Sequence, residues 1–154
     1  MNGTLEECNM LYNQLAEKTN KFSPDVEVMI APPFLFLKEL AEKQNKKIII
    51  TAQNCANKEK GAYTGEISVS MLKSIGIKYI IVGHSERRLI YGESIKDISE
   101  KIVLVLQNGL VPIFCIGEEL NDRQCGEQFS VIENQLASIS NLSPVLFEKI
   151  IVAY

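Results

Sequence analysis

Five short apolar runs, beginning near residues 26, 48, 79, 111 and 149, alternate along the chain with amphipathic stretches of helical length. Parallel strands cannot be joined by a tight turn; each pair needs a crossover of about a dozen residues, which a helix supplies. The alternation therefore predicts an α/β fold of parallel strands covered by helices. A first helix is expected over 4–19, where Leu5, Cys8, Leu11 or Tyr12, and Leu15 share a face. Asn20 to Asp25, with Pro24, reads as a turn into a strand over Val26 to Ala31, which Pro32 and Pro33 stop by removing two ladder donors. Phe36, Leu37, Leu40 and Ala41 line one face of a helix over 34–44, and Val69, Met71, Leu72 and Ile75 suit a short helix closed by Gly76. Ile95, Ile98, Ile102 and Val105 mark a longer helix stopped at Asn108-Gly109; Phe129, Ile132, Leu136 and Ile139 mark the inner face of the next. Asn141 to Pro144 then breaks the chain before the last strand. On pattern alone, five strands fit a flavodoxin-like sheet and part of a barrel equally well. In either fold the polar residues at strand carboxyl ends, Gln53 and Asn54, then His84, then Glu118, gather on one rim.

The 154 residues, 46% of them hydrophobic, can bury one sizeable core, so residues 1–154 read as a single domain. The net charge of −3, without a dense basic patch, argues against nucleic-acid binding but leaves room for a small anionic substrate. No apolar run approaches about 18 residues, and no basic segment precedes an apolar one at the start. No membrane association and a cytoplasmic location are therefore expected. Cys8, Cys55, Cys115 and Cys125 lack Cys-x-x-Cys spacing, and a single histidine cannot complete the common zinc sets with them. Free thiols and no metal are expected.

Residues 78 to 88 carry the sharpest local signal. Tyr79 to Val82 is a β-branched and aromatic run closed by Gly83, and Ser85 to Arg88 reads as a helix start, with Ser85 the expected N-cap and Glu86 an anion in the first turn. His84, the only histidine, stands between the two. A lone histidine is more often structural than functional, but the carboxyl end of a strand is where βα folds bind their ligands. A neutral imidazole there can donate a hydrogen bond to a substrate carbonyl without surrendering a full proton.

The run Gly83-His84-Ser85-Glu86-Arg87-Arg88 resembles the histidine motif of the triosephosphate isomerase family. Met1-Asn2-Gly3, Ala31-Pro32-Pro33, Ala52-Gln53-Asn54, Gly61-Ala62-Tyr63-Thr64-Gly65-Glu66 and Cys115-Ile116-Gly117-Glu118 resemble further motifs of that family, in order. Ile151-Val152-Ala153-Tyr154 resembles the strand that leads into the family's catalytic glutamate. The resemblance spans the chain and implies part of a (β/α)8 barrel, about five parallel strands with alternating helices. It implies an aldose–ketose isomerase of glycolysis and gluconeogenesis. The substrate would be a small phosphorylated triose, dihydroxyacetone phosphate or glyceraldehyde 3-phosphate, converted through an enediolate with no cofactor. By the same resemblance His84 is the electrophile, Glu86 and Ser85 support it, Cys115 packs beside the site, and Asn2 touches substrate. Tyr63, Thr64, Gly65 and Glu66 form the loop through which a homodimer assembles, Thr64 reaching the partner's site.

The departures lie at the ends. The family's catalytic lysine, its catalytic glutamate, its lid and its glycine-rich phosphate loops have no counterpart in this sequence, and a family barrel has eight strands in about 250 residues. Glu86, Glu118 and Glu119 stand on the same rim, at no spacing that would let one replace the base. The expectation is an incomplete sequence of such an isomerase, inactive alone. The alternatives are a catalytically dead short paralogue acting as a binding or structural partner, and a different small α/β enzyme relying on His84. No nucleophile, metal cluster or phosphate loop accompanies the histidine in support of the last.

Overall fold

The computed structural model describes residues 2–19, 21–23, 25–43 and 47–154. Met1, Asn20 and Pro24 of the expected turn, and Gln44 at the expected end of the second helix, lie outside the described residues. In chain order the elements are α1 (Leu5–Thr19), β1 (Val28–Ile30), α2 (Phe34–Ala41), β2 (Ile48–Ala52), α3 (Val69–Ser74), β3 (Tyr79–Val82) and α4 (Ser85–Leu89). There follow α5 (Ile95–Gln107), β4 (Val111–Cys115), α6 (Leu120–Gln124), α7 (Gln128–Ala137), α8 (Pro144–Phe147) and β5 (Ile151–Ala153).

The strands form one sheet in the order β1-β2-β3-β4-β5, every pair parallel. This order separates the two folds that pattern left open. A flavodoxin-like sheet reverses direction after its first strand, in the order 2-1-3-4-5, and lays helices on both faces. Here each strand is added on the same side as the last, so the twisted sheet curls into half of a barrel. The registers Val82↔Phe114 and Phe114↔Val152 carry the central strands side by side.

The core lies between the sheet and its helices. Ala52, Ile80, Val82 and Phe114 are fully enclosed against Leu37 and Leu40 of α2, Val69 and Leu72 of α3, and Ile98, Ile102 and Val105 of α5. Local signals fix the helix ends. Ser94 Oγ accepts the Asp97 N–H while the Asp97 carboxylate accepts the Ser94 N–H, a reciprocal cap on α5. At the other end Gly109 takes φ +75°, and the Leu110 N–H returns to the Val105 carbonyl at 3.0 Å.

Several expectations need correction. Tyr12, not Leu11, is the buried member of its pair on α1. Met71 and Ile95 face outward, and Phe129 is 79% exposed, so the inner side of α7 is rotated toward Gln135, with Ile139 just past its end. Ser85 is not the N-cap of α4: the helix begins at Ser85 and His84 caps it, because the chain leaves β3 through Gly83 at φ +77° and turns into the helix one residue earlier than Ser85 would need. Pro144 starts a short helix rather than a break, its missing N–H costing nothing at a first helical position.

A buried polar side chain also sits where a helix stripe would be apolar. Lys101, on the inner face of α5, donates to Asn54 Oδ1 at 2.9 Å and pairs with Glu93, which also takes Arg87. This ties the loop after β2 to the helix after β3. Cys55 lies beside it, and burial pushes its thiol up to about 12 against the opposing charge of Lys101. All four cysteines are free thiols. Among the described residues no helix is long and apolar enough to cross a membrane.

Phe114 pairs with β3 and β5 through its backbone, and its enclosed ring lies in the core shared with α5. Phe114→Ala is expected to lower stability by about 3–5 kcal/mol in urea unfolding; a loss under about 1 kcal/mol would show that the ring does not hold these elements together.

Candidate active site

A cleft of about 620 Å³ opens beyond the carboxyl ends of β3, β4 and β5, walled by the segments that follow each strand. His84 enters it from β3, Cys115 and Glu118 from β4, and Tyr154 from β5. Parallel pairing in sequential order brings these ends together.

His84 has a side chain 46% exposed to solvent. Its Nδ1 accepts the backbone N–H of Glu86 at 3.3 Å, which satisfies one of the free donors at the start of α4. The Glu86 carboxylate lies 3.7 Å from the same nitrogen, a separation at which it would pair with an imidazolium. A ring that accepts through Nδ1 has Nε2–H left as its donor. The result is a hydrogen-bond donor held by its own backbone.

Ser85 and Cys115 line the same cleft as His84. Burial pushes the Cys115 thiol up from its ordinary value, Arg88 opposing the shift, so it is no ready nucleophile at neutral pH. Glu86 stands beside His84 but outside the cleft lining. Asn2 is exposed in the segment before α1 and does not line the cleft either. The loop carrying Tyr63, Thr64, Gly65 and Glu66 lies away from it, closed on itself by the Glu66 N–H to Tyr63 carbonyl bond and anchored by the Ala56 N–H to the Ile67 carbonyl. Gly61, at φ +141°, leaves room for the Tyr63 ring, which a Cβ there would meet at 2.7 Å. Among the described residues no three His, Cys, Asp or Glu side chains group as a metal site.

Three features of the site were not anticipated. Arg88 bridges the Gly83 and Cys115 carbonyls. Gln135, from α7, clamps the Gly117 peptide on both sides, accepting its N–H at 2.9 Å and donating to its carbonyl at 2.8 Å. A polar residue on the stripe shared by Val131 and Ile139 was the available signal for it. Finally, Arg123, Glu118 and Tyr154 form a closed triangle: Arg123 donates to Glu118 at 2.8 Å and to the Tyr154 hydroxyl at 2.6 Å, and that hydroxyl donates to Glu118 at 3.0 Å. It fastens the segment after β4 to the end of β5 across 31 to 36 residues of chain.

The family model described as triosephosphate isomerase matches residues 1–154. The chain is 46% identical over 155 residues to the triosephosphate isomerase of Bacteroides fragilis, covering 100% of this chain and 62% of that protein. It is 43% identical over 156 residues to that of Cytophaga hutchinsonii, with the same two coverages. It is 42% identical over 153 residues to the chloroplastic triosephosphate isomerase of Fragaria ananassa, covering 99% of this chain and 48% of that one. The chain thus spans less than two thirds of the length of these relatives.

The triangle has a consequence in acid. A backbone hydrogen bond first, then Arg123 and Tyr154, hold the Glu118 carboxyl below its ordinary range. A carboxyl lower in the folded than in the unfolded chain stabilises the fold above its unfolded value of about 4.3, and that contribution is lost as pH falls through the folded value. Arg123→Met is therefore expected to flatten the acid-side fall of the urea midpoint below about pH 5. An unaltered slope would show that the triangle does not persist in solution.

Proposed function

The chain belongs to the triosephosphate isomerase family, and on that premise we propose that the whole protein interconverts dihydroxyacetone phosphate and glyceraldehyde 3-phosphate, a cytoplasmic step of glycolysis and gluconeogenesis. The reaction moves a proton between adjacent carbons, so it needs a base at carbon and a donor at the carbonyl oxygen where enediolate charge develops. The split between a glutamate base and a neutral histidine donor is the family's known scheme rather than a deduction from this chain. In that scheme His84 is the donor. The observation that carries this assignment is the hydrogen bond from the Glu86 N–H to His84 Nδ1, which leaves Nε2–H as the ring's donor at a strand end that walls the cleft. An imidazole of this kind polarises a carbonyl and returns a proton without first having to lose a positive charge.

Ser85 and Glu86 support His84 as the first residues of the helix it caps, and Cys115 packs beneath the β4 side of the cleft. Asn2 is assigned to substrate by family likeness. The protein is also proposed to be a homodimer, joined through Tyr63, Thr64, Gly65 and Glu66. In support, this loop is exposed and stiffened by its own turn, and the exposed Tyr63 and Met71 border one shallow surface there.

In a coupled assay the whole protein is expected to convert either triose phosphate to the other, and a complete absence of exchange would overturn the isomerase reading. His84→Gln should lower kcat by about 10²–10³-fold, the scale of losing one donor to a developing oxyanion. Unchanged turnover would remove His84 from the mechanism. Thr64→Arg is expected to shift the protein from dimer toward monomer in sedimentation experiments, and a parent protein that sediments as a monomer would refute the dimer.

A further inference from the structure

The two arginines that follow His84 are used in opposite ways. Arg87 pairs with Glu93 and lies 4.9 Å from the centre of the Tyr91 ring, on the side of α4 that faces the Lys101 cluster. Arg88 takes no carboxylate among the ion pairs of the described residues. Its Nε donates to the Gly83 carbonyl at 2.7 Å and its Nη2 to the Cys115 carbonyl at 2.9 Å, over the Phe114 ring. Half-burying a guanidinium whose hydrogen bonds go only to main-chain carbonyls carries a desolvation cost that an ion pair would have offset. The two bonds must therefore serve a position.

That position is where the ladder between β3 and β4 stops. Its last pair is Val82↔Phe114; Gly83 swings away at φ +77°, and Cys115 pairs instead with Ala153 of β5. Between Gly83 and Cys115 the guanidinium fork takes the place of the missing backbone pairing. The packing is close: a Cβ on Gly83 would come within 2.9 Å of Arg88 Nη2, 3.2 Å of Ile98 Cγ2 and 3.3 Å of the Cys115 carbonyl. The Gly83 carbonyl belongs to the peptide whose N–H is that of His84. Gripping it fixes where the histidine leaves the strand, and α4 carries both Arg88 and the Glu86 N–H that holds the ring.

We propose that Arg88 is a positioning residue for His84, its guanidinium locking the His84 peptide against the β4 wall of the cleft so that the imidazole keeps one orientation and one tautomer. This rests on the isomerase reading for its catalytic consequence, though not for its geometry. In the ¹⁵N-histidine-labelled whole protein the signals of the His84 ring are those lost on His84→Gln, so they report on that ring alone.

The test uses the whole protein, with Arg88→Met keeping the apolar stem and removing both donors, and Arg88→Lys keeping charge with a single donor centre that cannot fork. Arg88→Met should lower kcat by about 10²-fold, the scale of a small misplacement, with KM within about threefold. The ring signals should change from one tautomer to an averaged pair. Arg88→Lys should fall between parent and Met in both readouts. A folded Arg88→Met protein with parental kcat and ring signals would overturn the proposal, as would equal losses in Lys and Met with unchanged ring signals. If Arg88→Met does not fold, Arg88→Lys decides by the same two readouts, and failure of both to fold would make Arg88 a residue of the fold alone and equally overturn it. A parent protein without isomerase activity would defeat the isomerase reading instead, and the ring signals would then decide Arg88 by themselves.

Discussion

Parallel pairing obliges a chain to travel back to its starting edge after every strand, since no two-residue turn can join parallel neighbours. With five strands added in sequence order, every carboxyl end falls on the same rim and every return path on the outer side. The enclosed core and the rim of the cleft are then consecutive stretches of the same strands. Ile80 and Val82 are enclosed, and His84 two residues later is half in water. The chemistry of the site is not an addition to the fold but the place where each strand leaves its apolar surroundings.

What could be read from sequence followed from how local each signal was. Strands β2, β3 and β4 were legible because each is a short apolar run closed by a residue that ends a ladder or turns the chain, and so was the rim position of His84. The order of the strands was not, because pairing joins residues such as Ile113 and Ile151 that share no local pattern. The short helices α6 and α8, of 5 and 4 residues, are under two turns and show no periodicity to detect, whereas the start of α4 was legible from its first-turn residues. The N-cap of α4 was expected at Ser85 because propensity favours serine, but the turn imposed at Gly83 decides which residue stands in the cap position, and that residue is His84. Asn2 and the loop from Tyr63 to Glu66 were placed by family likeness, and neither lines the cleft of this chain.

Phe129 and Gln135 show the same limit on one helix. Periodicity treats every apolar residue on the stripe as a core candidate and every polar one as solvated, yet Phe129 is exposed and Gln135 is buried. Gln135 is buried because both ends of its carboxamide are used by Gly117. Leaving such groups without partners would cost about 1–3 kcal/mol each. Lys101 repeats the pattern on α5 with Asn54 and Glu93. Gly117 and Asn54 lie in loops just past a strand end, distant in sequence from the residues they hold, so the stripe alone cannot predict them.

These contacts answer a common difficulty. Beyond its last ladder pair a strand's peptide groups lose their neighbours, at the very place where functional residues must be held still. Three of the four junctions of this rim show different devices. Gln53 donates to the Ala31 carbonyl at 2.8 Å between β2 and β1, and Arg88 spans β3 and β4. The Ile116 N–H extends the β4–β5 pairing to the Ala153 carbonyl at 2.9 Å, and the Arg123 triangle continues it through side chains. Of these three, only the β4–β5 junction uses backbone alone for its first step. At the other two a side chain imports the missing donor, and the residue types match the distance to be crossed: a carboxamide reaches one neighbouring carbonyl, whereas a guanidinium reaches two at once. Such closures leave side chains at the rim free to face the cleft while the backbone beneath them behaves as though the sheet continued, which lets a residue such as His84 be both exposed and fixed.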